Sequence, residues 1–299
     1  MELTRPTLLL LATLVVVALA FCMRWYTLER GRGDGQPRSV RVFDAVIGFV
    51  ANFFDTLGIG SFATTTVMYK LRRWVADDNI PGTLNVGHAL PTVVQALVFI
   101  ATVAVGSVTL IGMIAAAVLG AWLGAGVVAR LPKRAIQVGM GVALLIAAGL
   151  FIAGIFEWLP AAGDASSLTG TRLYVGIGIN FVLGALMTLG IGLYAPCLIL
   201  VSLLGMSSIA AFPIMMGSCA FLMPTAGTRF ISLRRYDMRA ALGLALGGIP
   251  GVLIAAFLVR SLPLQWLRWL VVVVVLYAAI AMLRSASVER AGPAERASA

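Results

Sequence analysis

Two ionisable residues, Asp55 and His88, stand inside long apolar stretches of this 299-residue chain. A charge at membrane depth is expensive, so such a residue marks a pathway, a relay or an ion-binding point. His88 is the only histidine present, and an imidazole titrates in the physiological range, so both residues are candidates for proton coupling. A structural histidine satisfied by its neighbours is the competing reading.

Asp55 lies in the segment NFFDTLGIGS (52–61), and a second glycine-bearing segment, TLGIGLYAPC, runs from 188 to 197. Glycine permits the positive φ that a helix break needs, and Pro196 suits the first turn of a new helix. Each break releases backbone N–H groups. Inside a bilayer these need partners, so each break must line an enclosed or watered cavity. Free amides at a half-helix N-terminus favour an anion. The plainer alternative is that the glycines only permit close helix crossings.

Polar groups follow each break: Asn85, His88, Thr92 and Gln95 in one half, Ser218, Cys219, Thr225 and Thr228 in the other. Pro81 and Pro91, like Pro213 and Pro224, bracket these groups and can kink or unwind their helices. The candidate anion-binding set is Thr56, Gly58, Gly60, Ser61, Asn85, His88, Gly190, Gly192, Tyr194, Cys197, Ser218 and Thr225. For the Asn, Ser and Thr members, ordinary interhelical hydrogen bonding is the alternative.

Cys22, Cys197 and Cys219 show no CxxC or Cys/His spacing, so neither a disulfide framework nor a metal site is expected. HExxH, GxSxG and P-loop patterns are absent from the sequence. This argues against an enzyme, a cofactor and an ATP-driven pump.

The elements that must hold these residues are set by composition. Hydrophobic residues make up 61% and charged residues 11%, with a mean hydropathy of +1.01; a soluble domain has roughly 25% charged residues. A water-soluble fold is excluded. Long apolar runs such as Leu264 to Leu283 do not alternate in polarity, so the spans are helices and not barrel strands. The net charge of +10 sits in short clusters between these runs. That is the positive-inside pattern of membrane loops rather than a nucleic-acid surface. Pro6 to Tyr26 lacks a cleavage site and reads as a retained span, not a signal peptide.

The chain also repeats itself. FVANFFDTLGIG (49–60) returns as FVLGALMTLGIG (181–192), 132 positions later, and the same offset takes Pro81 to Pro213. Offsets of 133 and 131 take Pro91 to Pro224 and Leu131-Pro132 to Leu262-Pro263. A seam of small residues, Ala116, Gly120 and Gly124, corresponds to Gly247, Gly251 and Ala255 and suits close helix packing.

Charge selects the topology. Nine plain spans divide the 22 Lys and Arg residues 13 to 9. If Phe43 to Tyr69 and Leu173 to Leu204 each enter, break at the shared glycines and leave by the same face, 18 lie inside, leaving Arg5, Arg172, Arg260 and Arg268 outside. The positive-inside rule favours the second arrangement. The expected fold is therefore an all-α integral membrane protein with about seven transmembrane helices and two re-entrant broken hairpins, as two inverted repeats. Its parts are an N-terminal helix (1–28), a cytoplasmic linker (29–41), repeat 1 (42–156), an external loop (157–172), repeat 2 (173–285) and a cytoplasmic tail (286–299). The N-terminus is expected outside and the C-terminus in the cytoplasm, across a bacterial-type inner membrane.

The duplicated Gly-x-Gly segments, the run GLYAPCLILVSLLGMSSIAAFPIMMGSCAF (192–221) and GGIPGVLIAAFLV leading to Ser261 and Pro263 resemble the TauE/SafE family of sulfite and organosulfonate permeases. The resemblance extends over about Val42 to Met282 and is strongest in the second half. Ser61 and Phe62 stand where that family commonly has further glycines. The resemblance implies a secondary permease for a small sulfur oxyanion or sulfonate, with the lipid bilayer as its other partner and a homo-oligomer compatible with it. An anion channel built on the same breaks is the alternative, and sulfur handling by Cys197 or Cys219 is a third reading.

Overall fold

The computed structural model describes residues 4–31, 39–128, 133–156, 163–187, 193–261 and 263–290. Its helices are α1 (Arg5–Arg30), α2 (Val42–Thr56), α3 (Ser61–Arg72), α4 (Ile80–Gly87), α5 (Ala89–Thr102) and α6 (Ser107–Val128). The second half contributes α7 (Lys133–Ile155), α8 (Gly170–Met187), α9 (Tyr194–Leu203), α10 (Ala211–Ser232), α11 (Met238–Ser261) and α12 (Leu264–Arg290). Among the described residues the only β feature is an isolated bridge between Ala165 and Met206.

Among the described residues, five helical stretches are long and apolar enough to cross a membrane: Arg5–Arg30, Ile80–Thr102, Gly170–Met187, Ser208–Ser232 and Met238–Val259. Shorter apolar stretches lie in α6, α7, α9 and α12. Large apolar side chains such as Leu9, Trp122, Tyr174 and Phe257 point outward, as lipid-facing residues do. Gly170–Met187, the arm expected to enter and turn back, is by itself long enough to cross.

A succession of local structures recurs in the two halves. After α3, Arg73 takes a left-handed φ of 51°, a 3-10 turn spans Asp77–Asn79, and α4 begins. After α9, Gly205 takes φ 93°, a 3-10 turn spans Ser208–Ala210, and α10 begins. Arg73 and Gly205 are 132 positions apart, the offset of the repeated motif. At this point glycine is the cheaper residue, since a left-handed conformation costs an L-residue with a Cβ about 1–2 kcal/mol.

The small-residue seam joins one half to the other. A Cβ on Gly120 of α6 would stand 1.9 Å from the Phe181 carbonyl oxygen of α8, and one on Gly251 of α11 would stand 2.4 Å from that of Phe49 in α2. Gly247 is closer still, 1.8 Å from the Ala45 oxygen. Phe49 and Phe181 are equivalent positions in the repeat, as are Gly120 and Gly251, so the two contacts exchange partners between halves.

The helix following the first hairpin is interrupted at His88, between α4 and α5. Pro91 explains the break: it has no N–H, and its ring crowds the carbonyl four residues back, at Gly87, where α4 ends. Pro224 sits inside a continuous α10, so the unwinding open to both halves occurs only in the first.

The elements meet at two ends. At one, the Phe43 and Trp74 rings lie 4.7 Å apart, which sets the start of α2 beside the exit from α3. Arg41 pairs there with Asp44 and Asp237, and Trp25 donates to Tyr236. At the other, Ser207 N donates to the Ala165 carbonyl and Thr4 bonds Ser107. This sets the approach to α8 beside the exit from α9.

Candidate functional site

The first glycine segment is a helix break. α2 ends at Thr56 and α3 begins at Ser61, and between them Gly58 and Gly60 have φ of +99° and +85°. Only glycine takes these angles without strain. The first backbone amide of α3 is not left bare. Asp55 folds over it, and its Oδ1 accepts from Ser61 N at 2.6 Å.

The other carboxylate oxygen accepts from Gln95 Nε2 of α5 at 2.9 Å, and the same nitrogen donates to Thr56 Oγ1 at 2.9 Å. Gln95 is held in this orientation because Tyr194, at the start of α9, donates its hydroxyl to Oε1 at 3.0 Å. Thr56 Oγ1 in turn donates to the Asn52 carbonyl. Asp55, Thr56 and Gln95 are buried. One continuous polar network therefore ties α2, α3, α5 and α9.

His88 forms the adjoining part. Asn52 Nδ2 donates to the Gly48 carbonyl, which turns its Oδ1 toward His88 Nδ1 at 3.1 Å. Nδ1 must then carry the proton, and Nε2 accepts from Thr65 Oγ1 at 3.1 Å. The ring links Asn52 on α2 to Thr65 on α3 and so clamps the two arms of the hairpin.

One hydroxyl in this region, Thr92 Oγ1, is buried and makes no hydrogen bond, while Ser61 Oγ is buried against Asp55. Thr92 lies on α5 between His88 and Gln95 at helical spacing, on the face that meets the hairpin. Buried polar groups are nearly always paired, so an unpaired hydroxyl has capacity for another partner.

Of the residues singled out by sequence, the structure brings together Asp55, Thr56, Ser61, His88 and Tyr194 around Gly58 and Gly60. Gly190 and Gly192 lie outside the described residues. Asn85 Nδ2 bonds the Pro81 carbonyl, Ser218 Oγ that of Ile214, and Thr225 Oγ1 that of Phe221, each within its own helix. Thr225 is exposed. Cys197 is buried in α9, and Cys219 Sγ lies 3.6 Å from Met187 Sδ. Asn52, Thr65, Thr92 and Gln95 join the site without having been in the candidate set. Helical spacing carries the signal for them, through Asn52-Thr56, Ser61-Thr65 and His88-Thr92-Gln95.

Apolar spanning helices around a buried polar network at a glycine-broken helix define a class, the multi-pass membrane transporter. The chain belongs to the TauE/SafE family: the family model described as sulfite exporter TauE/SafE matches residues 2–151. The match covers α1 and the first half, including the hairpin and α5, rather than the 192–221 run on which the resemblance leaned most. No curated protein and no solved structure matches the chain.

Proposed function

We propose that the chain is a secondary permease for a small sulfur-containing anion, sulfite or an organosulfonate such as sulfoacetate or an aryl sulfonate. The anion is bound where the α2–α3 turn faces α5 and the start of α9. The observation that carries this reading is the buried network there, with its unpaired hydroxyl on Thr92. A sulfonate is compact and has three acceptor oxygens. The Ser61 amide, the Gln95 amide and the Tyr194 hydroxyl are donors of the kind that hold such a group. The family description supplies the sulfur class.

The proposal keeps Thr56, Gly58, Gly60, Ser61 and Tyr194 in the site and adds Gln95. His88 fixes the hairpin rather than meeting the anion. Asn85, Ser218 and Thr225 are engaged by their own helices.

The transport unit in this reading has seven spans and two re-entrant hairpins, with repeats at 42–156 and 173–285 in inverted orientation. The recurring turn and 3-10 segment, the exchanged contacts of Gly120 and Gly251, and the meeting of the outer ends of each hairpin support it. Inverted repeats of this kind give alternating access around a fixed midplane site. The N-terminus lies outside and the C-terminus in the cytoplasm of a bacterial-type plasma membrane.

Purified protein in liposomes is expected to move labelled sulfite or a sulfonate faster than protein-free liposomes do. Rates equal to that control across sulfite, thiosulfate, sulfoacetate, taurine and aryl sulfonates would sink the reading. Unitary conductance in bilayer recordings would make the protein a channel instead.

A further inference from the structure

The two glycine segments differ at several positions, and one of the differences is an ionisable group. At the position of Asp55 the second half has Met187, 132 residues on. The first segment therefore carries an ionisable carboxyl and the second does not. Asp55 is 3% exposed, and its carboxylate oxygens accept from the neutral donors Ser61 N and Gln95 Nε2. Among the described residues no basic side chain forms an ion pair with it.

The ionisable groups facing it are Tyr194 from α9 and Cys219 from α10. α5 presents the uncharged Gln95 and Thr92, α3 presents Ser61, and the His88 ring at the α4–α5 junction is engaged by Asn52 and Thr65. From α11 the nearest neighbour of this face is Gly248, against Asn52, and from α12 it is Val274, against Gly58. Among the described residues no cation stands beside Asp55, which engages the Ser61 N and Gln95 Nε2 donors.

We propose that Asp55 couples transport to a proton: its carboxylate and the substrate's oxyanion compete for the Ser61 and Gln95 N–H donors, and Asp55 yields them on accepting a proton. This rests on the reading of the chain as an anion permease. One proton moves from water to a carboxylate oxygen as one anion enters. The carboxyl O–H then donates to Ser61 Oγ, the buried hydroxyl set against Asp55. Thr92 Oγ1 is left for the anion. For a monovalent sulfonate the cycle moves a proton and an anion together, with no net charge.

The test uses methanesulfonate, which stays singly charged where sulfite itself titrates. For wild-type protein, affinity is expected to fall about tenfold for each pH unit above the ionisation of Asp55, because the anion binds the protonated form. Asp55→Asn is expected to bind with no pH slope. In liposomes, wild-type uptake is expected to respond to an inward proton gradient and to be indifferent to a potassium–valinomycin potential, whereas Asp55→Asn carries charge. A wild-type affinity that is flat with pH, or wild-type uptake that moves net charge, overturns the proposal whatever becomes of the variant. Failure of the wild type to bind or move any anion of the panel at any pH instead overturns the permease reading beneath it.

Discussion

At the scale of single residues, the polar network makes its own predictions because Gln95 has a fixed orientation. Tyr194→Phe removes one donor and leaves Gln95 Oε1 unpaired, which costs about 1–3 kcal/mol for a buried acceptor. A modest loss of thermal stability in detergent is expected. Gln95→Glu does something different, because it sets a second carboxylate at the place from which Gln95 Nε2 reaches Asp55, 2.9 Å away. Two carboxylates that close cannot both ionise, so the folded variant retains a proton that the unfolded chain releases. The native state then binds more protons than the unfolded state. Stability of the variant should approach wild type in acid and fall behind by about 1.4 kcal/mol per pH unit as pH rises. Parallel pH profiles for Gln95→Glu and wild type would refute this geometry. Asp55 and His88 are legible in the sequence because an ionisable residue in an apolar run stands out. Gln95 and Thr65 are harder to find, since an uncharged polar residue in a span is usually engaged by its own helix, as Asn85 and Ser218 are.

At the scale of elements, the glycines separate into those that bend the chain and those that let helices touch, and the sequence marks both types with the same letter. Gly60 has open space around a Cβ but a φ of +85° and a ψ of 124°, so Gly60→Ala meets backbone strain alone, worth about 1–3 kcal/mol. Gly120 has ordinary helical angles, and a Cβ there would meet the Phe181 carbonyl oxygen at 1.9 Å, so α6 and α8 must separate. Gly178, in the same α8, has nothing within 4 Å. Replacing a helical glycine by alanine where there is room gains about 0.5–1 kcal/mol. The expected order of detergent melting temperatures is Gly178→Ala at or above wild type, then Gly60→Ala, then Gly120→Ala. A Gly120→Ala variant as stable as Gly178→Ala would mean that the α6–α8 crossing is not as close as described. The repeat offset was enough to pair Gly120 with Gly251, and the seam was readable as packing. Which helices it joins was not, because offset relates equivalent residues and says nothing about whether contacts run within or between the halves.

At the scale of the whole molecule, charge and contact both bear on the proposed inverted topology. The end that holds Glu29, Arg41, Arg72, Arg73 and Asp237 also holds the basic turn at Arg234 and Arg235, while the opposite end, among the described residues, carries Arg5, Asp164, Arg172, Arg260 and Arg268. Basic loops are retained in the cytoplasm, so the first end is predicted to face inward. The turns after α3 and after α9 are equivalent in the repeat, and they lie at opposite ends, beside Phe43 and beside Ala165 respectively. Inversion therefore requires Ala76→Cys and Ser207→Cys to be labelled from opposite sides of the membrane. In a background with Cys22, Cys197 and Cys219 replaced, a membrane-impermeant maleimide added to intact cells should modify Ser207→Cys at once and Ala76→Cys only after permeabilisation. Labelling of both from one side would rule out inverted repeats. The opposite order would keep the inversion and reverse the orientation, with the positive-inside argument at fault rather than the fold.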